Sequence, residues 1–443
     1  MEPVEPAAAA AEPAAAAAAG LAVGAAGPVE RWRLGATGWR WVVGVGAGLV
    51  GVAGAWRALQ PAMGVPLPDA GNLAEERMQD FRDALYFPVR EFLAGGNPYD
   101  PAVMFAHWPV RQNFNLYQPY HLLLHMPFAL PGYRVGAVAY AGVLLGLLVL
   151  LSVMAAGRAR VPWVIGTVVV AALLVTSQVG KAQLYVGQVN PLLAVGAAGA
   201  LLARTTHPRW AALALALAWL KPQFGLPLAI LLCARGSWRV AAGGTGIAAA
   251  ASAVALVPLV LRDGVVGFAQ VIGRNLEHAS QTTYGAVDSL TSQRVDVAAV
   301  FFRVVGWLPP GSEVVALLAV MVVSVVLVRR LDRSGDDTGA ADLLTCVAVV
   351  VAVVHQPGDV IIAVPALVAA AVVWWRRRHE LRWLGVAVVA LLVPFAHLYF
   401  VDTVIRELGG VRASVTVDGI AVVVAWVVLV GFAWARTRER TCA

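Results

Sequence analysis

The sequence predicts an all-α polytopic membrane protein, and three observations carry that prediction. Of its 443 residues, 60% are hydrophobic and 13% charged, whereas a typical soluble domain is about 25% charged. A water-soluble globule is excluded. The apolar residues fall in blocks long enough to cross roughly 30 Å of hydrocarbon as helix, with short arginine-bearing loops between them. None of the blocks alternates apolar and polar residues, which excludes a closed membrane β-barrel.

Taken in order, residues 1–26 are dominated by Ala, Pro, Glu and Gly and hold no aromatic or basic residue. They lack the basic start of a signal peptide and the apolar bulk of a core. Residues 1–30 are therefore expected to be a disordered cytoplasmic tail. The first span is expected at 41–56, after Arg31, Arg33 and Arg40. Further blocks lie at 135–156, 161–178, 185–203, 210–233, 240–261, 314–328, 341–355, 360–375, 384–400 and 419–435.

The basic clusters fix how these blocks are threaded. They are Arg31/Arg33/Arg40, Arg158/Arg160, Arg204/His207/Arg209, Arg235/Arg239, Arg329/Arg330/Arg333, Arg376/Arg377/Arg378/Arg382 and Arg436/Arg438/Arg440. If block 210–233 crossed once, the later clusters would land opposite the earlier ones. Both of its flanks are basic, and Lys221-Pro222 interrupts its middle, where a charge costs about 2.5 kcal/mol or more and proline breaks the hydrogen-bond ladder. A re-entrant hairpin of two half-helices resolves the conflict. All basic clusters then share one face, which the positive-inside rule makes cytoplasmic. About twelve membrane helices result, with both termini inside and the outer segments at 59–131, 179–184, 262–312, 356–359 and 401–418.

The longest early outer segment holds two candidate surface helices. Phe81, Leu85, Val89 and Phe92 recur at helical spacing, while Asp83, Tyr86, Arg90 and Glu91 point away, as in a helix lying in the interface. Gly95, Gly96 and Pro98 end it. Residues 119–130 are too short to span and read as a second surface helix, after an extended turn at Tyr117-Gln118-Pro119.

Several chemistries are excluded. The net charge of +7 comes from arginines beside hydrophobic blocks, so nucleic acid is not an expected partner. Cys233, Cys346 and Cys442 form no CxxC pair and have no His cluster nearby, which gives neither a disulfide framework nor a zinc site. Walker, HExxH, GxSxG and dinucleotide fingerprints are missing from any context that would support them. No metal and no cofactor is expected.

The remaining polar residues are candidates. Asp80 opens an outer helix at the depth of a lipid head group, where it is either a catalytic carboxylate or an N-cap. Lys221 at a hairpin tip needs an anion, a water-filled cavity, an internal carboxylate or access to outer water. A lipid-linked phosphate fits that need. His355, beside Gln356-Pro357-Gly358-Asp359, either donates to the same phosphate or caps a helix end. Gln188 and Asn190 in Gly187-Gln188-Val189-Asn190-Pro191 either bind sugar hydroxyls or hold helices together. Asp288, with Ser289-Leu290, and Arg294 lie in a long outer loop that can line the same cavity.

Asp80-Phe81, Leu93-Ala94-Gly95-Gly96-Asn97-Pro98-Tyr99-Asp100, Tyr117-Gln118-Pro119, Gly187-Gln188-Val189-Asn190 and Leu220-Lys221-Pro222 occur in this order. In them the chain resembles glycosyltransferase family 87, polytopic enzymes of the GT-C class that use polyprenyl-phosphate sugars. The resemblance is carried best over residues 79–238. Tyr120 departs from the usual second proline, and Asp288-Ser289-Leu290 follows the family pattern loosely. Family members look like α-mannosyltransferases of the actinobacterial cell envelope, and some transfer arabinofuranose. The resemblance implies a single glycosyltransferase domain over 31–440, with Asp80 in the outer segment as general base. It also implies Lys221 and His355 at the donor phosphate, and substrate contacts from Tyr117, Gln188, Asn190, Asp288 and Arg294. The expected reaction moves mannose from a polyprenyl-phosphate donor to a glycolipid or glycan hydroxyl, with inversion, on the outer face of the plasma membrane. An arabinofuranosyltransferase of the same fold, or a flippase for a lipid-linked sugar, is the alternative.

Overall fold

The structure, a computed structural model, describes residues 37–282, 285–288, 294–396, 404, 407–410, 413 and 416–442. The expected tail at 1–30, Ser289, Leu290 and much of the outer segment 401–418 lie outside the described residues. The chain divides into two units, Met1–Gly46 and Ala47–Ala443, and the site described below lies within the second. The described residues are helical, with no strand among them. Six helices are long and apolar enough to cross a membrane, or seven if one bent pair counts as a span.

The predicted blocks are largely helical, but block 185–203 is interrupted at 187–189, block 210–233 is two helices, and the end of block 384–400 lies outside the described residues. After α1 (Thr37–Met63), the segment expected outside forms α2 (Phe87–Leu93), α3 (Pro101–His107), α4 (His121–Leu124) and α5 (Met126–Ala129). The long apolar helix α6 (Tyr133–Arg158) follows, then α7 (Trp163–Thr176), α8 (Gln178–Val186) and α9 (Asn190–Ala203). The expected break in block 210–233 falls at residues 219–221, between α10 (Pro208–Ala218) and α11 (Pro222–Ala234). Lys221 is extended (φ −110°, ψ 113°) because the ring of Pro222 disfavours the helical region for its predecessor. Pro222 then starts α11, where its missing N–H costs nothing. At 11 and 13 residues, these helices are about 17 and 20 Å long, each short of the hydrocarbon thickness.

The C-terminal half comprises α12 (Trp238–Gln281), α13 (Val297–Val305), α14 (Ser312–Arg333), α15 (Ala340–Ala352), α16 (Val364–Arg376), α17 (Arg382–Ala396) and α18 (Val417–Cys442). A 3-10 turn, Pro357–Ala363, leads into α16.

Three expectations are corrected. Residues 179–184 are not a loop: α7 and α8 meet at 66°. Ser177 makes the bend, leaving the helical region (ψ 160°) while its hydroxyl accepts from Gly180 N. A Cβ on Gly180 would fall 1.9 Å from Leu174 O, so a side chain there is barred. Next, the outer segment expected from Arg262 is helical as far as Gln281: α12 breaks at Gly264 (φ 71°, ψ 160°), and a second helix continues beyond it.

Finally, the helix after Asp80 does not lie on a surface. Phe81–Tyr86 is a π-helical turn running into α2, and Asp83, Tyr86 and Glu91 are buried with the apolar residues. The carboxylates of Asp83 and Glu91 are satisfied by residues of the same segment. Arg82 pairs with Asp83 at 2.7 Å, Gln112 N donates to Asp83 at 3.1 Å, and Trp108 Nε1 donates to Glu91 at 2.7 Å. Residues 119–130 are likewise packed inward as α4 and α5, with His121, Leu122, His125 and Ala129 buried.

An ion-pair network gathers where α6, α11 and α14 end and α15 begins. Arg158 reaches Asp342 at 2.7 Å, Arg235 reaches Asp342 at 2.8 Å and Asp332 at 2.9 Å, and Arg204 reaches Asp332 at 2.8 Å. These residues line a cavity of about 540 Å³.

Candidate active site

At the other end of the same helices lies a cluster with different chemistry. Met78 takes a left-handed conformation (φ 55°), an unusual one for a side chain of this size and a common mark of functional sites. Its N–H donates to Tyr185 O at 2.7 Å, and its carbonyl accepts from Arg82 N. This pins the start of the π-helical turn against the end of α8. Gly187 closes α8 in the left-handed region (φ 72°), and a Cβ there would sit 2.8 Å from Phe81 Cβ. Glycine is thus required for the chain carrying Gln188 and Asn190 to pass beside Asp80.

Asp80 precedes the π-helical turn with helical dihedrals, and its side chain makes no capping hydrogen bond. Its carboxyl faces inward, with part of its surface still reaching solvent. Burial pushes its pKa up to about 6, helped by the nearby Asp83 and Asp359; the Lys221 ammonium and a hydrogen bond from Gln188 act the other way.

Lys221 lies across this cluster at the break before α11. Its Nζ donates to Asn190 Oδ1 at 2.9 Å and stands 5.4 Å from the centre of the Tyr117 ring, a cation–π distance. Lys221 forms no ion pair among the described residues. Asn190, fully buried, donates through Nδ2 to Asp359 Oδ1 at 2.6 Å and to Gln188 Oε1. The other Asp359 oxygen accepts from Gln356 N at 2.9 Å, closing the capping box that starts the 3-10 turn. Both Asp359 oxygens are therefore committed. Asn190 separates that carboxylate from the ammonium, and the ammonium keeps a positive charge that no neighbouring acid neutralises directly.

His355 packs edge-on against Phe224 of α11, with ring centres 4.4 Å apart. Its Nδ1 lies 3.1 Å from Val353 O, and a carbonyl can only accept, so Nδ1 carries the proton. The imidazole is buried, with Lys221 and Asp359 nearby. Its Nε2 is buried and has no hydrogen-bond partner among the described residues.

Six of the sequence candidates are thus brought together: Asp80, Tyr117, Gln188, Asn190, Lys221 and His355. Two are not. Asp288 is exposed. Arg294 is buried and spends its guanidinium on Asp296 at 2.8 Å, Glu313 at 2.8 Å and Gly285 O at 2.6 Å. Its neighbour Val295 does touch the cluster, donating to His355 O at 2.9 Å.

Asp359, Gln356, Gln183 and Tyr140 belong to the cluster without having been singled out from the sequence. Asp359 is the one with a sequence signal, an acid between two apolar blocks and next to His355. Buried polar atoms lacking a partner include Tyr140 Oη, Gln183 Oε1, Trp219 Nε1 and His355 Nε2. Tyr140 lies in electrostatic reach of Asp80, Gln183 donates to Gly358 O, and Trp219 is two residues before Lys221. Buried groups left unpaired are unfavourable and uncommon, and a polar ligand entering here would supply partners for them. No group of three or more His, Cys, Asp or Glu suited to a metal ion occurs among the described residues.

Comparison with known proteins gives one positive finding. The family model described as glycosyltransferase family 87 matches residues 115–357, more than half of the chain. The match includes Tyr117, Gln188, Asn190, Lys221 and His355, and begins after Asp80. No curated protein and no solved structure matches the chain.

Proposed function

The chain belongs to glycosyltransferase family 87, and from that premise we propose that this multi-pass membrane protein transfers mannose from a polyprenyl-phosphate donor to a hydroxyl of a glycolipid or glycan acceptor. The observation that carries the reading is a cluster that holds a raised-pKa carboxylate, Asp80, and an ammonium that has no acid of its own, Lys221, with Gln188 and Asn190 beside them. A sugar phosphate needs both groups. Its leaving phosphate takes up negative charge as the glycosidic bond opens, and a fixed cation stabilises that charge. The attacking hydroxyl must lose a proton, and a carboxylate with a pKa near 6 is a competent base at neutral pH.

In this mechanism the acceptor O–H bond breaks towards Asp80 while the acceptor oxygen bonds to the sugar C1. The C1–O bond to phosphate breaks with its electron pair leaving on phosphate, beside Lys221. His355 Nε2 starts as an acceptor, and the incoming phosphate charge favours its protonation, after which it donates to the phosphate. Asp83 and Asp359 are held by Arg82, backbone amides and Asn190, so Asp80 is the carboxylate left for chemistry. With one carboxylate the displacement is direct and inverts the anomeric centre, since double displacement needs a second placed close by. A β-linked donor then gives an α product.

The half-helices α10 and α11 are read as a re-entrant pair of the GT-C type, carrying Lys221 into the bilayer from the cytoplasmic side. With the arginine clusters inside, Asp80 opens to the outer face. The test is incubation of the purified protein with polyprenyl-phosphate-mannose and a crude glycolipid extract. A new mannosylated lipid is the expected product. Movement of label across the bilayer without product would replace the enzyme with a carrier, and faster turnover of polyprenyl-phosphate-arabinofuranose would reassign the sugar.

A further inference from the structure

Tyr140 lies on α6, buried, with its ring held on three sides. It stacks on Phe81 at 5.0 Å between ring centres, meets Phe128 edge-on at 5.2 Å and meets His125 at 5.7 Å. Phenylalanine would make all three contacts equally well. The hydroxyl is what needs explaining, because it is buried and has no hydrogen-bond partner among the described residues. Two nearby buried tyrosines do not share that fate: Tyr99 donates to Tyr117 O, and Tyr120 donates to Ala216 O. A phenylalanine here would avoid the penalty of an unpaired buried hydroxyl, so the hydroxyl points to a partner met in another state of the site.

That partner is close at hand. The Tyr140 hydroxyl lies in electrostatic reach of the Asp80 carboxylate and of the Tyr117 phenol. Its ring is also the platform on which Phe81, the residue after Asp80, is stacked. The Gln188 amide is also near Asp80, but its Nε2 donates to Gln356 and its Oε1 accepts from Asn190. A sugar hydroxyl competing for the Gln188 amide would free the carboxylate to turn. We infer that Tyr140 is a positioning residue: its hydroxyl donates to the ionised Asp80 carboxylate during turnover and holds it towards the acceptor. This rests on the proposed role of Asp80 as base.

The groups facing Asp80 are Lys221 from the start of α11, Asp83 from its own turn, Asp359 from the 3-10 turn, Gln188 before α9 and Tyr117 from the outer segment. Tyr140→Phe alters none of them and keeps the ring. A hydrogen bond to a charged group favours the charged form, so its loss raises the pKa of Asp80. In the purified, full-length protein, Tyr140→Phe is expected to move the acid limb of the kcat profile, which reports the enzyme with its substrates bound, upward by about one pH unit while leaving the kcat/KM limb in place. Turnover should fall about fivefold at the midpoint of the unsubstituted protein's acid limb and little at pH 8, with donor affinity unchanged and the thermal midpoint unchanged or higher. An unmoved acid limb, or a lowered midpoint with equal losses at both pH values, overturns the inference in favour of a packing role. Failure of the underlying reading looks different, since Asp80→Asn would then keep its turnover and the unsubstituted protein would show no limb near pH 6.

Discussion

Helix α11 joins two polar clusters that differ in one respect. Lys221 stands at its start and Arg235 at its end, about 20 Å apart along the axis. At the Arg235 end, Arg158, Arg204 and Arg235 all terminate on Asp332 or Asp342. At the Lys221 end, the ammonium reaches Asn190 Oδ1 in place of a carboxylate, and Tyr140, Gln183, Trp219 and His355 leave buried polar atoms unpaired. Both clusters are charged and partly buried. A buried ion pair that is complete holds helices together, and breaking it exposes an uncompensated charge. An incomplete cluster keeps its electrostatic free energy for something that arrives later. The contrast, more than the presence of charge, separates a fastening from a site.

The largest expected effect breaks the site without touching the fastening. Asp80→Asn should lower turnover by about 10²–10⁴ while leaving donor affinity nearly intact. Measured transfer within tenfold of the unsubstituted protein would remove Asp80 from the role of base. Arg235→Ala acts on the other end. It leaves Asp332 and Asp342 short of a partner and should cost about 3–5 kcal/mol of stability, seen as a lower thermal midpoint or poor yield in detergent. A variant that is fully stable yet loses donor binding would reverse the comparison.

How much of this was legible in the sequence depends on which physical signal was present. The helices were, because apolar blocks and arginine placement report the bilayer directly, and Lys221-Pro222 announced the break between α10 and α11. The bend at Ser177 was not, because the block that precedes it is continuous in hydropathy and the turn rests on one hydroxyl and Gly180. Burial of the Asp80 segment was also hidden. Its apolar spacing matched an interfacial helix, and only tertiary contacts from Gln112 and Trp108 show that Asp83 and Glu91 are internal. Within the site, the residues that share short motifs were found. Asp359 and Tyr140 were missed, since an acid in a capping box and a tyrosine in an apolar helix look structural until their neighbours are known.

A smaller effect sharpens the site end. Lys221→Ala should weaken donor binding about 10- to 100-fold, the worth of one hydrogen bond to a charged group, measured by equilibrium binding of polyprenyl-phosphate-mannose. An unchanged affinity would break the link between Lys221 and phosphate.

The pH dependence is smaller still at neutral pH and has a definite sign. With Asp80 raised to about 6, kcat/KM should be half-maximal near pH 6, fall about tenfold per unit below it and level off above it. Folding raises this pKa above the ordinary carboxylate value, so the protonated form is favoured in the folded state. Stability from this group is full below about pH 4 and is lost as pH rises through about 6. Asp80→Asn should therefore raise the thermal midpoint at pH 8 and raise it less as the pH falls towards 4. A midpoint lowered at pH 8 would show that Asp80 has a structural partner instead.

The decisive measurement is the position of phosphorus in an electron cryomicroscopy structure of the protein bound to polyprenyl-phosphate-mannose. The account predicts the phosphate within hydrogen-bonding distance of Lys221 Nζ, with the sugar C1 lying between it and Asp80. A phosphate seated instead among Arg158, Arg160 and Arg204, in the cavity at the far end of α11, would contradict it.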